Sequence, residues 1–205
     1  MSTALIALRL TKSLPEIDCD YIGADYGALV LAENKKRMKL AVGDFDSVSP
    51  EQMDLIRAYA DEVCVLNPIK DDTDSESALS HVLALGYDHV IMCGALGGRS
   101  DHSLVNLRLV YLHPEVLTLY DENNLIEAYE KGEYSFAKDE WKYISFFTFD
   151  HAKISLTNMK YPLNGRVLTP LDLYTLSNEV EKDPGILKIH EGRVLVIRSR
   201  DRGKQ

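Results

Sequence analysis

The sequence predicts two successive architectures, an α/β domain on a mostly parallel sheet and then an all-β domain of sandwich type. Three observations predict it. As far as Tyr120, short apolar and β-branched runs alternate with stretches of helical period, the pattern of strand–helix–strand units. From Leu125 onward only short β-type runs remain, separated by turn residues. In the first part, each polar cluster follows a strand-like run, at the sheet edge where open α/β folds bind ligands. The first domain is therefore expected to be Rossmann-like over residues 1–125 and the second a sandwich over 126–205. The boundary is expected between Asp121 and Gly132.

Taken in order, Ala4–Leu8 reads as a buried first strand. Tyr21–Ala24 is a second, ending at Asp25 before a helical stretch from Tyr26 to Glu33. Lys39–Val42 is the third. Ser49-Pro50-Glu51-Gln52 is a helix start, with a serine cap, proline at the first helical position and glutamine at the third. That helix is expected to reach Tyr59. Glu62–Leu66 is a strand closed by Asn67-Pro68, and Thr73–Leu85 a helix ended by Gly86. Asp88–Cys93, a helix from Asp101 to Leu112 and the strand Val116–Tyr120 complete the series. The second domain offers Tyr134–Phe136, Tyr143–Phe149, Ala152–Leu156, Arg166–Leu168, Leu173–Leu176, Ile186–Ile189 and Val194–Ile197 as strands. Turns are expected at Asp150-His151, Asn164-Gly165, Asp183-Pro184-Gly185 and Glu191-Gly192.

Composition narrows the function. The 205 residues are 45% hydrophobic and 27% charged, ordinary for a globular protein. With 32 acidic and 23 basic residues the net charge is −9, the opposite of a nucleic-acid binder's basic stripe. Surplus acid suits a site of carboxylates satisfied by metal. Cys19, Cys64 and Cys93 lack CxxC spacing and lie in or beside apolar runs, so they read as reduced core thiols of a cytoplasmic protein. No apolar run approaches the ~18 residues of a membrane span. Arg9 interrupts the N-terminal apolar run, and no signal peptide is expected there.

The central motif is Val42-Gly43-Asp44-Phe45-Asp46-Ser47. Residues two apart on a strand end share a face, so Asp44 and Asp46 converge while Phe45 turns toward the core. Gly43, without Cβ, admits close approach of backbone or ligand. Paired carboxylates repel, and the expected remedy is a divalent cation with oxygen ligands, Mg²⁺. The same letters also make an ordinary solvated turn.

Three further clusters follow strands. Asp25 precedes a helix, where it serves equally as a cap. Lys70-Asp71-Asp72-Thr73-Asp74 leads into Thr73-Asp74-Ser75-Glu76, a capping box that leaves Lys70 unexplained. A lysine there reaches a polyphosphate bridged by metal to the neighbouring acids. Gly94-Ala95-Leu96-Gly97-Gly98-Arg99-Ser100-Asp101-His102 brings glycine amides and a forked cation to a helix start, the setting for a phosphate. Asp101 is placed to cap that helix or take a metal. His102 and Asn106 share one of its faces. The spacing matches neither a Walker A loop nor GxGxxG.

As a set, these residues resemble the thiamin pyrophosphokinase family, bacterial type. The likeness is carried by Ala24–Ala28, Gly43–Ser47, Thr73-Asp74 and Gly94–Asn106, then by Lys160–Leu163 and Leu176–Glu179. It implies transfer of the pyrophosphoryl group of ATP to the thiamin hydroxyl with Mg²⁺, releasing AMP. It also implies a homodimer with active sites between subunits. Asp44, Asp46 and Asp74 would hold or approach the metal, with Asp25 in support. Asp46, Asp74, Arg99 and Asp101 would be catalytic, with Asp101 orienting the reacting groups. Asp25, Lys70, Thr73, Arg99, His102, Asn106 and the Gly97-Gly98 backbone would serve ATP. Tyr161 would offer an aromatic face to thiamin, and Ser177 and Asn178 polar contacts. One departure concerns the loop after the first strand, glycine-bearing in the family and Leu8-Arg9-Leu10-Thr11-Lys12 here. The alternatives are a metal-dependent phosphoesterase, which would want more histidines, and a non-catalytic nucleotide- or thiamin-binding module.

Overall fold

Side chains buried without alternation along β1 (Thr3–Ala7) and β3 (Met38–Gly43) mark strands covered on both faces, as parallel sheets require. With β2 (Asp20–Ala24), β4 (Ala60–Val65) and β5 (His89–Cys93) they pair in the order β4-β3-β2-β1-β5, every pairing parallel. The chain steps outward from β1 to β4, then returns to the far side of β1 for β5. The order reverses there, which opens a crevice at the C-terminal ends of β1 and β5. The computed structural model describes residues 2–67 and 73–201. The chain divides into units of residues 1–106 and 107–205, within helix α4.

The helices are α1 (Tyr26–Glu33), α2 (Pro50–Tyr59), α3 (Asp74–Ala84) and α4 (Ser100–Leu112); side chains cap α2 and α3, while Asp25, spent on Phe45, makes no capping bond to α1. Ser49 completes a reciprocal capping box, its Oγ accepting from the Gln52 amide at 3.3 Å while Gln52 Oε1 accepts from the Ser49 amide at 2.9 Å. Thr73 Oγ1 accepts from the Glu76 amide at 3.2 Å. Gly86, at φ 86°, follows the end of α3.

In the second unit β6 (Leu117–Tyr120), β7 (Asn124–Tyr129), β9 (Tyr143–Phe147) and β13 (Val194–Ser199) form antiparallel ladders in the order β6-β7-β13-β9. A second antiparallel sheet runs β11-β10-β12-β8, from β8 (Gly132–Phe136), β10 (Ala152–Thr157), β11 (Leu163–Leu168) and β12 (Gly185–Gly192). Alternate residues turn inward: Ile154 and Leu156 of β10 and Leu187 and Ile189 of β12 join Ile144, Phe146, Val194 and Val196 in one core.

Several sequence expectations are corrected. Leu173–Leu176 is a turn-rich segment with Leu173 and Leu176 exposed. It meets β9 through the bond from the Phe146 amide to the Thr175 carbonyl and an isolated bridge from Ile144 to Asn178. Without a continuous ladder, its apolar content does not make a strand. Asn164-Gly165 lies inside β11 and Glu191-Gly192 ends β12, and each of these strands carries one extra residue against β10. Of the three thiols, Cys93 is buried in the core, while Cys19 and Cys64 are only half-buried.

Candidate active site

Parallel pairing of β2 with β3 brings Ala24 opposite Val42, so the residues that follow each strand meet. The Asp25 amide donates to the Val42 carbonyl at 2.8 Å, and Asp25 Oδ1 accepts from the Phe45 amide at 3.0 Å. Gly43 permits this approach, because a Cβ there would lie 2.8 Å from Asp25 Cα. Phe45 is buried, as the sequence reading requires, and Asp44 and Asp46 turn the other way. Carboxylate oxygens of Asp25, Asp44 and Asp46 lie within 4.8 Å of one another. Asp25 is thus a full member of the group it was expected only to support. Burial first, then the charge of Asp74, pushes its carboxyl above the ordinary range. Asp74, exposed at the start of α3, acts on the group through that charge.

Beyond β5 the chain turns through Gly94, Gly97 and Gly98 at φ 74°, 85° and 69°, a left-handed series that side chains resist. The turn presents Arg99 at the start of α4. Its guanidinium grips Asp101 bidentately, Nε to Oδ1 at 3.1 Å and Nη2 to Oδ2 at 2.5 Å. The Arg99 bond is the first cause holding the Asp101 carboxyl down at about 2. Both side chains are exposed. His102 joins Thr73, Ser75, Asp101, Val105 and Asn106 around a cleft of about 220 Å³. Asn106, expected to share a helix face with His102, is buried there, and its amide bonds Ser75 and the Ala95 carbonyl. Lys70, with Asp71 and Asp72, lies outside the described residues.

The loop after β1 folds onto the glycine turn. Thr11 Oγ1 donates to the Cys93 carbonyl at 2.9 Å, and a Cβ on Gly94 would lie 2.3 Å from the Thr11 amide nitrogen. Arg9 lies over the Tyr26 ring, 4.7 Å from its centroid. It places a cation on the Tyr26 ring that the sequence reading passed over as a break in an apolar run. The signal was the departure itself, an arginine in a loop where the family has glycine.

In the sandwich Tyr161 is 56% exposed, and its backbone is held on both sides by one buried residue. Asn178 Oδ1 accepts from the Tyr161 amide at 3.0 Å, and Asn178 Nδ2 donates to the Tyr161 carbonyl at 2.9 Å. The Glu179 amide also donates to that Oδ1 at 2.9 Å. Asn178 therefore spends its side chain on backbone. Ser177, at φ 56°, is exposed and anchored by its amide to Ser145 Oγ.

The catalytic-domain model of thiamin pyrophosphokinase matches residues 17–120, and the vitamin B1 binding domain model matches residues 133–194. The thiamine pyrophosphokinase of Bacillus subtilis is 35% identical over 187 residues, covering 88% of this chain and 87% of its own. The chain belongs to the thiamin pyrophosphokinase family. A crystal structure of the Bacillus subtilis family member superposes with a TM-score of 0.87 at 31% identity, covering 98% of this chain and all of that one (100%). One from Enterococcus faecalis gives 0.87 at 29% identity, with 98% and 100% covered. A Candida albicans thiamin pyrophosphokinase shares the fold at 16% identity, with TM-score 0.80 over 97% of this chain and 90% of its own. As a thiamin pyrophosphokinase the chain is a transferase that makes thiamin diphosphate, with thiamin and ATP as substrates. The phosphoesterase and the non-catalytic module are not favoured.

Proposed function

We propose that the residues at the strand ends of the N-terminal unit carry the pyrophosphoryl transfer, and that exposed residues of the sandwich receive thiamin. The observation that carries this reading is the convergence of Asp25, Asp44 and Asp46. Three hard oxygen donors, one of them half-buried with a raised pKa, are the donor chemistry of Mg²⁺. Asp25, Asp44 and Asp46 would hold that ion, with Asp74 beside them. The ion would neutralise charge on the phosphate oxygens. The chain's own groups do the rest. Amides of the Gly97-Gly98 turn bind phosphate oxygens. An incoming phosphate competes with Asp101 for the Arg99 fork, and the carboxylate so released is free to orient the reacting groups. The exposed Tyr161 ring offers a π face to the thiamin cation, and Ser177 offers it a polar hydroxyl.

The proposed assembly is a homodimer with shared sites. Val167, Leu171, Leu173 and Leu176 are all more than half exposed on the sandwich, close in sequence to Tyr161 and Ser177. An apolar face of this kind suits a second copy of the chain. The compartment proposed is the cytoplasm; no helix among the described residues is long and apolar enough to cross a membrane.

The decisive assay incubates the purified protein with ATP, Mg²⁺ and thiamin, and follows AMP and thiamin diphosphate together. Equal amounts of both, dependent on thiamin, are expected. AMP release that ignores thiamin, or inorganic phosphate as the product, would overturn the reading.

A further inference from the structure

Buried and half-buried hydroxyl and amide groups of the N-terminal unit form a chain whose direction can be assigned bond by bond. Ser75, in the first turn of α3, is 7% exposed, and its hydroxyl donates to Asn106 Oδ1 at 2.7 Å. Asn106, on α4, is 5% exposed and donates through Nδ2 to the Ala95 carbonyl at 2.8 Å. A carbonyl oxygen only accepts, so the amide must present nitrogen to Ala95 and oxygen to Ser75. The single proton of Ser75 is thereby spent on Asn106. Thr73 Oγ1 lies 3.2 Å from Ser75 Oγ, so in that pair Thr73 is the donor. Its oxygen also accepts the capping bond from the Glu76 amide. The relay runs from Thr73 through Ser75 and Asn106 to Ala95, and each of its three bonds has one donor and one direction.

We propose that Ser75 and Asn106 are positioning residues for the transfer. They hold the start of α3, with Thr73 and Asp74, in register with the glycine turn that presents Arg99 and Asp101. The proposal rests on the phosphate and metal reading of those two elements. Ala95 lies within that turn, between Gly94 and Gly97, both in left-handed conformation and free of side-chain restraint. Something outside the turn must hold it, and the Asn106 amide reaches its backbone. A fully bonded buried network has one arrangement, and breaking it strands a buried acceptor. One consequence concerns residues expected to bind ATP. While the relay stands, neither the Thr73 hydroxyl nor the Asn106 amide proton assigned to Ala95 is available to a phosphate. Both serve the site by fixing its shape.

The test is steady-state kinetics on Ser75→Ala, Asn106→Ala, the double variant and Ser75→Thr, at a temperature well below the Tm of each. The single alanine variants are expected to lose about tenfold or more in kcat/KM for ATP, since small misplacements of reacting groups are costly, while KM for thiamin stays unchanged. The double variant should be no worse than the worse single one, because both break the same relay. Ser75→Thr, which keeps the hydroxyl, should recover most of the loss. Should Ser75→Ala prove insoluble, Ser75→Cys, similar in volume and a weak donor, makes the same comparison. A lowered Tm with wild-type kcat/KM for ATP, or additive losses in the double variant, would overturn the positioning role. Wild-type protein without thiamin-dependent AMP release would instead remove the site reading on which the proposal stands.

Discussion

The Asp25 carboxylate accepts a hydrogen bond from the Phe45 amide, and both residues have positive φ, 52° and 55°. Such a conformation costs a residue with a side chain roughly 1–2 kcal/mol. It persists because strand pairing, the burial of Phe45 and this bond over-determine it. The strain turns the backbone so that Asp44 and Asp46 face Asp25 instead of following the strand outward.

Asp25→Asn is expected to raise Tm at pH 7 without divalent cation, while abolishing turnover. Asparagine keeps the acceptor for Phe45 and tolerates positive φ. Burial, with Asp74 second, raises the Asp25 pKa above its ordinary 3.8. The native state then binds the Asp25 proton more tightly than the unfolded chain does. Stability from this group therefore falls as pH rises from the ordinary value through the raised one, and stays lower above. The gain in the variant should accordingly shrink toward pH 3. A lower Tm than wild type at pH 7 would contradict the assignment.

Asp46→Asn tests the metal set by a route other than activity. Saturating Mg²⁺ at about 100 Kd adds about 2.7 kcal/mol to a protein that binds it only when folded. For a chain of this size that is roughly 5–10 °C in Tm. The shift should largely vanish in the variant, with turnover down about a hundredfold or more. An undiminished Mg²⁺ shift would take Asp46 out of the set.

Arg99→Lys should reduce kcat/KM for ATP about tenfold, or ~1.4 kcal/mol, because lysine cannot reproduce the two-pronged grip now spent on Asp101. Tm should not move, since the Arg99–Asp101 pair is exposed and such pairs stabilise little. Unchanged ATP kinetics would make Arg99 a surface residue.

Tyr161→Ala and Asn178→Ala should part company. The exposed ring is expected to appear in KM for thiamin, at roughly 0.5–1.5 kcal/mol, with Tm unchanged. Removing the buried amide leaves backbone groups of Tyr161 and Glu179 unpaired, at a cost of about 1–3 kcal/mol, and should lower Tm by several degrees. Equal thermal effects would deny Asn178 its pinning role.

Shared sites predict complementation. Asp46→Asn chains and chains carrying Tyr161→Ala with Ser177→Ala, refolded together, form about one-half mixed dimers, each with one intact site. Roughly a quarter of wild-type activity should return, by random assortment of a symmetric dimer. A mixture as inactive as its parents, with exchange confirmed by mass, would place each site within one chain.

The amino-acid sequence by itself determined what depends on near neighbours. The Ser49–Gln52 box, the Thr73 cap and the end of α3 at Gly86 are satisfied within a few residues, so their signals are local. The alternation of strands and helices and the place of each polar cluster after a strand follow from period and spacing alone. Only tertiary structure decided how polar side chains were spent. Asp25 meets Phe45 across 20 positions, Asn178 meets Tyr161 across 17 and Ser75 meets Asn106 across 31. No local pattern separates an asparagine that touches a ligand from one whose amide is already committed. Leu173–Leu176 shows the same limit for backbone, since its residues are apolar enough for a strand but no continuous ladder completes one. A hydrogen bond needs two partners at one place, and chain separation conceals the second until the fold brings it there.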